Sequence, residues 1–355
     1  MAPIIDVHGH IVAPPELYAY REFLVGTRGH YGKQASVGKG TGASARVTPD
    51  LLREYAESHV QALDDVGTDV QLVSARPYSL MHSEMPGKIV RHWAEAVNDS
   101  IAVQVEAFPH RLQGVANLPQ QWNEPVSVTF DELDRCVEEL GFVGALVNPD
   151  PSEGRGTDDV PPFGDEYWYP LYERLVALRV PMFVHSCGCV TQRKSQSLHF
   201  ILEESIAIMS MVHSTVFDDF PDLQVVVPHG GGAIPYQIGR FAGVHWNGYG
   251  RPGTFAEAIK RVYYDTCLYT DRAMELLFSE IGPDSIVFGT ERPGDGTHRR
   301  GEGNGEARAW ADDLRAVIER IPGYDAADRE KVFSGNALKI YPRLAAKLAT
   351  APAPA

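Results

Sequence analysis

The sequence predicts an α/β chain built as a (β/α)8 TIM barrel, with a long insertion after the first strand and extra helices at its C-terminal end. Three observations carry this prediction. Eight short apolar runs recur along the chain, and each is followed by a turn signal and a helix-period segment. No GxGxxG run follows the first of them, which disfavours the rival open doubly wound sheet. The length, 355 residues, is ordinary for a barrel enzyme.

The apolar runs are PIIDVHGH (3–10), DVQLVSARP (69–77), RLQGVANLP (111–119), GFVGALVNPD (141–150), VPMFVHSCG (180–188), LQVVVPHGGG (223–232), RVYYDTCLY (261–269) and SIVFGTERP (285–293). Each is rich in Val, Ile, Leu, Phe or Tyr, and short enough for a strand buried on both faces. Helix-period segments lie between and after them at 50–65, 90–107, 128–140, 166–178, 200–218, 233–243, 271–281 and 306–320. The first is capped by Thr48 or Asp50, with Leu51, Tyr55, His59 and Leu63 in line and Gly67 just past its end. Residues 11–48 form the insertion, rich in Gly, Tyr and basic residues. In a barrel it sits on the catalytic face, where it can act as a lid. Residues 322–349 read as extra helices, and the last six residues, 350–355, as a frayed tail. Residues 1–349 are expected to form one domain.

Composition bounds the partners. Hydrophobic residues make up 44% and charged residues 22%, as in soluble globular proteins, and the formal net charge is −15. Such a surface repels nucleic acid and anionic membrane. An anionic substrate then needs local cations to hold it. The four cysteines show no CxxC pairing. Cys187 and Cys189 form a CxC, and reduced core cysteines are the expected reading for all four. No secretory leader pattern or membrane-length apolar run is present, so a cytoplasmic location is expected.

Catalysis in barrels is carried at the C-terminal ends of the strands. Those ends bear His8 and His10, Arg76, Asn148 and Asp150, His185, His229, Asp265 and Tyr269, and Glu291 and Arg292. Alternation along a strand sends His8 and His10 to the same face, and His185 and Glu291 reach that space from strands five and eight. Three imidazoles and one carboxylate suit Zn2+ with open positions, and accept Mn2+ as well. His229 is either a further nitrogen ligand or a group that hydrogen-bonds substrate or activates water. The glycines after it, which let ligand approach the backbone, favour the second role. Arg76 is the expected carboxylate clamp, supported by Arg292, Arg193 and His82. Glu291 is the expected base, with His229, His199 or Tyr269 as proton donor.

DVHGH, FVHS, VVPHGGGAIPYQIGRF and a terminal acid after FG resemble the amidohydrolase superfamily, in its aminocarboxymuconate-semialdehyde decarboxylase-like branch. The resemblance runs from Ile4 to about Leu348. It implies a metal-dependent lyase with His8, His10, His185 and Glu291 as metal ligands. Decarboxylases of the branch usually end strand eight with an aspartate. The glutamate here, with ELGFVGALVNPDP and YYDTCLY, is similar to the 4-oxalomesaconate hydratases. That likeness implies hydration of a C=C in an unsaturated oxo-di- or tricarboxylic acid from aromatic catabolism. Non-oxidative decarboxylation of an aromatic or muconate-type acid, and metal-dependent hydrolysis, are the alternatives. As aligned, the hydratases carry a tyrosine pair where this chain has His199 and Phe200. The resemblance also implies a homo-oligomer.

Overall fold

The computed structural model describes residues 2–28, 47–156, 159–191, 193–244, 254–298 and 310–350. Seven strands form one parallel sheet in chain order: β1 (Ile5–His10), β2 (Val70–Ser74), β3 (Leu112–Asn117), β4 (Gly144–Val147), β5 (Met182–Val184), β6 (Val225–Val227) and β7 (Val262–Tyr264). Every residue in them is buried. Burial on both faces explains why the sequence shows solid apolar runs rather than alternation.

Helices cover the sheet in chain order. They are α1 (Pro15–Gly26), α2 (Pro49–Asp64), α3 (Lys88–Ala107), α4 (Phe130–Asp134), α5 (Tyr169–Leu178), α6 (Gln196–Val212), α7 (Val216–Asp219), α8 (Ile234–Val244), α9 (Phe255–Ile259) and α10 (Asp271–Ile281). Short helices α11 (Arg315–Ile318), α12 (Ala326–Glu330), α13 (Asn336–Ile340) and α14 (Pro342–Thr350) complete the chain. The expected insertion at 11–48 opens with helix α1, and its lid segment, 29–46, lies outside the described residues. Of the helix expected at 306–320, the described residues show only α11, and 301–309 lie outside them.

Helix α2 shows how local chemistry sets its ends. The Thr48 side chain accepts from the Leu51 N–H, and Pro49 occupies the first turn, where no donor is needed. Its buried face is Leu52, Ala56, His59, Val60 and Leu63 rather than the expected row through Leu51 and Tyr55. A strict four-residue spacing drifts around a helix of 3.6 residues per turn, so only the later part of that row stays inward.

The expected eighth strand is not regular. Residues 286–291 make one isolated bridge, Tyr264 with Ile286. Val287 N–H donates to Tyr264 O at 2.9 Å, Val7 N–H to Phe288 O at 2.9 Å, and Glu291 N–H to His8 O at 2.7 Å. Side chains replace the rest of the ladder. Thr266 Oγ1 accepts from Gly289 N–H at 3.0 Å and donates to Gly289 O at 2.9 Å. Asp6 accepts from both the Thr290 N–H and its hydroxyl. At Gly289 and Thr290 the donors and acceptors are thus satisfied, as buried backbone requires, by side chains rather than by the backbone of a neighbouring strand.

Arg292 leaves this segment outward. It is 1% exposed. Its guanidinium donates to Ala62 O at 2.6 Å and to Asp312 at 2.5 Å, and lies 4.7 Å above the Trp310 ring. The expected clamp role for Arg292 does not fit this position, because its charge is already spent on Asp312 behind the sheet. Replacing Asp312 with Ala leaves the buried guanidinium only the half-exposed Asp65 carboxylate at 3.6 Å, a change that costs up to roughly 3–5 kcal/mol. A urea unfolding midpoint lowered in proportion, with unchanged slope, is the expected result for Asp312→Ala.

Candidate metal centre and active site

Four imidazoles converge at the C-terminal ends of β1, β5 and β6. Ring centroids of His8–His10, His8–His185, His8–His229, His10–His185 and His185–His229 lie 5.0, 5.3, 5.3, 5.2 and 5.1 Å apart. Between His8 and His10, Gly9 is dictated by a neighbour. A Cβ there would fall 2.3 Å from the Gln71 side chain, which bonds Asp6 and His59. The β1 register slips between Asp6 and Gly9, yet both imidazoles still reach the same mouth.

Each ring is fixed through Nδ1. His8 donates to Asp265 at 2.6 Å, His10 to Ser74 Oγ at 2.8 Å, His185 to Ser186 O at 2.7 Å and His229 to Glu204 at 2.9 Å. A carbonyl or carboxylate cannot donate, and Ser74 Oγ gives its own hydrogen to Gly9 O at 3.1 Å, so on His8, His10 and His185 the proton sits on Nδ1 and Nε2 faces inward. This is the tautomer that metal-binding histidines adopt. His8 Nε2 and His10 Nε2 stand 3.2 Å apart. His185 Nε2 is buried without a partner. Ligand atoms of His8, His185, His229 and Glu291 all lie within 4.8 Å of one another, and Glu291 Oε1 is 3.8 Å from His10 Nε2. Converging buried lone pairs repel unless something electropositive lies between them, so this donor set fits a divalent cation. The structure groups His8, His185, His229 and Glu291, with His10, the other expected ligand, beside His8 and Glu291.

Burial, and then the neighbouring imidazoles His8 for His10 and His229 for His185, hold these two rings well below the ordinary histidine range, in the neutral ligating form. His229 differs. Burial pushes it down, but the adjacent Glu204 carboxylate outweighs this and brings it to about 10. Glu204 also accepts from the Ser186 N–H, so one helix residue braces both His229 and the β5 turn. The sequence reading missed Glu204. Its signal was a Glu-Glu pair inside the otherwise apolar helix QSLHFILEESIAIMSMV.

A cavity of about 360 Å³ opens on this centre. Phe200, Ile201 and Leu268 form its apolar wall, and His229, Cys267, Tyr269 and Glu291 its reactive side. The Phe200 ring stacks on His229 at 6.0 Å and 15° and meets His185 edge-on at 5.2 Å. Tyr269 hydroxyl donates to Glu291 Oε2 at 2.9 Å, and the Cys267 thiol contacts the same hydroxyl at 3.1 Å. Burial, then Cys267 and Glu291, holds the Tyr269 hydroxyl protonated. His229, Tyr269 and Glu291 all have left-handed backbone, with φ of 53, 53 and 61°. Such strain in non-glycine residues is typical of functional sites.

Other expected residues lie elsewhere. Arg76 donates to Ile11 O at 3.1 Å and Pro293 O at 2.7 Å, bracing the loops beside His10. Asn148 and His82 form a buried pair at 3.1 Å. Arg193 is exposed. None of these lines the cavity, and its described lining carries no Arg or Lys. The His199 ring belongs to a separate buried group with Asp150 and Glu203. No helix among the described residues is long and apolar enough to cross a membrane.

The sequence profile of the family described as "Amidohydrolase" matches residues 5–343. The chain belongs to the amidohydrolase family. This amidohydrolase is 33% identical to 2-keto-4-carboxy-3-hexenedioate hydratase of Sphingobium sp. strain SYK-6, over 98% of each chain. It is 28% identical to γ-resorcylate decarboxylase of Polaromonas sp. JS666, over 82% of this chain and 88% of that one. The crystal structure of 4-oxalomesaconate hydratase from Rhodopseudomonas palustris superposes with a TM-score of 0.84 at 29% identity, covering 98% of both chains. A dihydroxybenzoic acid decarboxylase from Polaromonas sp. JS666, solved with bound manganese and 2-nitroresorcinol, shares the fold with a TM-score of 0.68 at 22% identity. It covers 96% of this amidohydrolase and 97% of that chain.

Removing the Asp265 carboxylate frees the His8 ring to turn and lowers its basicity, and such outer partners are typically worth 10–100-fold in metal affinity. Asp265→Ala is expected to weaken Mn2+ or Zn2+ binding by about that factor in a chelator competition titration.

Proposed function

We propose that this amidohydrolase is a lyase dependent on a divalent cation, a hydratase that adds water to a conjugated C=C of an unsaturated oxo-di- or tricarboxylic acid from aromatic catabolism. The observation that carries this reading is the position of Glu291. One of its oxygens faces His10, and the other accepts from the Tyr269 hydroxyl at the cavity wall. Hydration needs a base for water and an acid for the neighbouring carbon, and this pair supplies both within one hydrogen bond. The full-length relationship to 2-keto-4-carboxy-3-hexenedioate hydratase supports the same choice.

His8, His10, His185 and Glu291 would hold the cation, Zn2+ or Mn2+, which when bound supplies Lewis acidity toward water and the oxo group. Glu291 takes the proton from water as its oxygen bonds to the β-carbon. Tyr269 gives its proton to the α-carbon, and the proton on Glu291 passes back to Tyr269. The atoms balance, and both groups return to their starting state. His229, held by Glu204, hydrogen-bonds the substrate. Arg76, beside His10, is the proposed source of positive charge for a carboxylate, with Asn148 and His82 behind it. The proton is not assigned to His199, whose ring lies with Asp150 and Glu203.

The wider reading is one domain, 1–349, in which residues 286–291 close a (β/α)8 barrel, with 11–48 as its lid and 350–355 as a tail. The enzyme is proposed to act in the cytoplasm as a homo-oligomer. A second reading, non-oxidative decarboxylation of an aromatic acid, is favoured by the flat Phe200 wall stacked on His229. Incubation with 2-keto-4-carboxy-3-hexenedioate and with γ-resorcylate separates the two. Loss of conjugated absorbance with no CO2 released is expected, and CO2 release would overturn hydration. Glu291→Gln should keep its metal and lose at least ~100-fold in kcat, the low end for general acid–base catalysis. An unchanged kcat in the metal-replete variant removes Glu291 as the base.

A further inference from the structure

Helix α6 presents two adjacent faces to the barrel mouth. Phe200 and Glu204, four residues apart, face the imidazole cluster: Phe200 packs on His185, and Glu204 bonds His229. His199 and Glu203, also four residues apart, lie about 100° around the helix from them. They meet Asp150 in the loop after β4, so that one nitrogen and two carboxylate oxygens lie within 4.8 Å of one another.

This second group is built and buried. Asp150, His199 and Glu203 are 1, 0 and 3% exposed. Asp150 is locked in place, with Oδ1 accepting from the Ser152 N–H and hydroxyl and Oδ2 from the Gly154 N–H. The His199 ring carries two buried nitrogens, neither with a hydrogen-bond partner, and its Nδ1 stands 3.6 Å from Glu203 Oε1. A buried imidazole with no partner at either nitrogen loses hydrogen bonds that it would make in water. Lys194 donates to Glu203 at 3.0 Å from a partly buried side chain.

We infer that Asp150, His199 and Glu203 form a second divalent-cation site, separate from the centre at the strand ends, which ties helix α6 to the loop after β4. One imidazole and two carboxylates suit Mn2+ or Zn2+. The ion takes the His199 nitrogen and displaces Lys194 from Glu203. By fixing α6 it positions Glu204 and Phe200, and through them His229. His199 is then a structural ligand, not a catalytic residue.

The test counts metal on the full chain, stripped and reloaded with Mn2+ alone. Two equivalents per chain are expected for the wild type, and one for His199→Gln and for Glu203→Gln, with far-UV circular dichroism unchanged in at least one of them. His185→Ala should keep the second equivalent, read as a single bound-Mn2+ signal by electron paramagnetic resonance. Lys194→Met removes the competing charge and should tighten the second equivalent by at least ~10-fold, a small part of the Coulomb energy at this separation. A single equivalent in the wild type at saturating Mn2+, or two in folded His199→Gln, overturns the site. So does loss of both equivalents in His185→Ala.

Discussion

The Asp265 carboxylate is the constraint on which the rest of the mouth depends. One oxygen takes the His8 Nδ1 proton, and the other accepts from the Gly230 and Cys267 N–H groups. A buried carboxylate is costly unless every lone pair it turns inward is met, and here an imidazole and two amides meet it. The consequence is geometric. The β1 histidine, the β6 turn that carries His229, and the segment leading to Tyr269 are all fixed to one atom group. Gly289 must pass close by, since a Cβ there would come within 2.9 Å of Asp265 and 3.0 Å of His8.

Around that anchor the chain accepts local strain. His229, Tyr269 and Glu291 turn left-handed where their segments leave the sheet, at roughly 1–3 kcal/mol each. The turns bring an imidazole, a phenol and a carboxylate to the same cavity, when regular strands would have carried alternate side chains away from it. The buried sheet below, with no exposed strand residue, is where stability resides. The mouth spends some of it on orientation.

Much of this was legible in the sequence. A strand buried on both faces announces itself as a short apolar run, and the HxH pair follows from a period of two. What failed has physical reasons. VFGTERPG reads as a strand because its composition is that of one, yet Thr266 and Asp6 side chains take the ladder bonds. Arg292 follows a left-handed Glu291, so strand alternation does not set its direction, and its guanidinium turns to Asp312. The choice between His199 and Phe200 was not legible. Both lie in the first turn of α6, and which one faces the cluster depends on the helix phase against the sheet, which no residue count supplies. Glu204 was hidden by the same ambiguity.

Charge then decides how an acid could enter. The chain carries a formal net charge of −15, and the cavity lining adds Glu291 and Asp295 with no Arg or Lys among its described residues. A di- or tricarboxylic acid meets like charge on approach. Within the proposed function, attraction comes from Arg76 beside His10, from His229, raised to about 10, and from the centre itself, where a divalent ion would offset Glu291. The imidazoles thus need the low titration that burial gives His10 and His185, because protonated rings would exclude the ion. Metal loading and substrate capture are on this reading one electrostatic condition. Asp265, Ser74 and the Ser186 carbonyl contribute by holding Nδ1 of His8, His10 and His185, which turns their other nitrogens toward the centre.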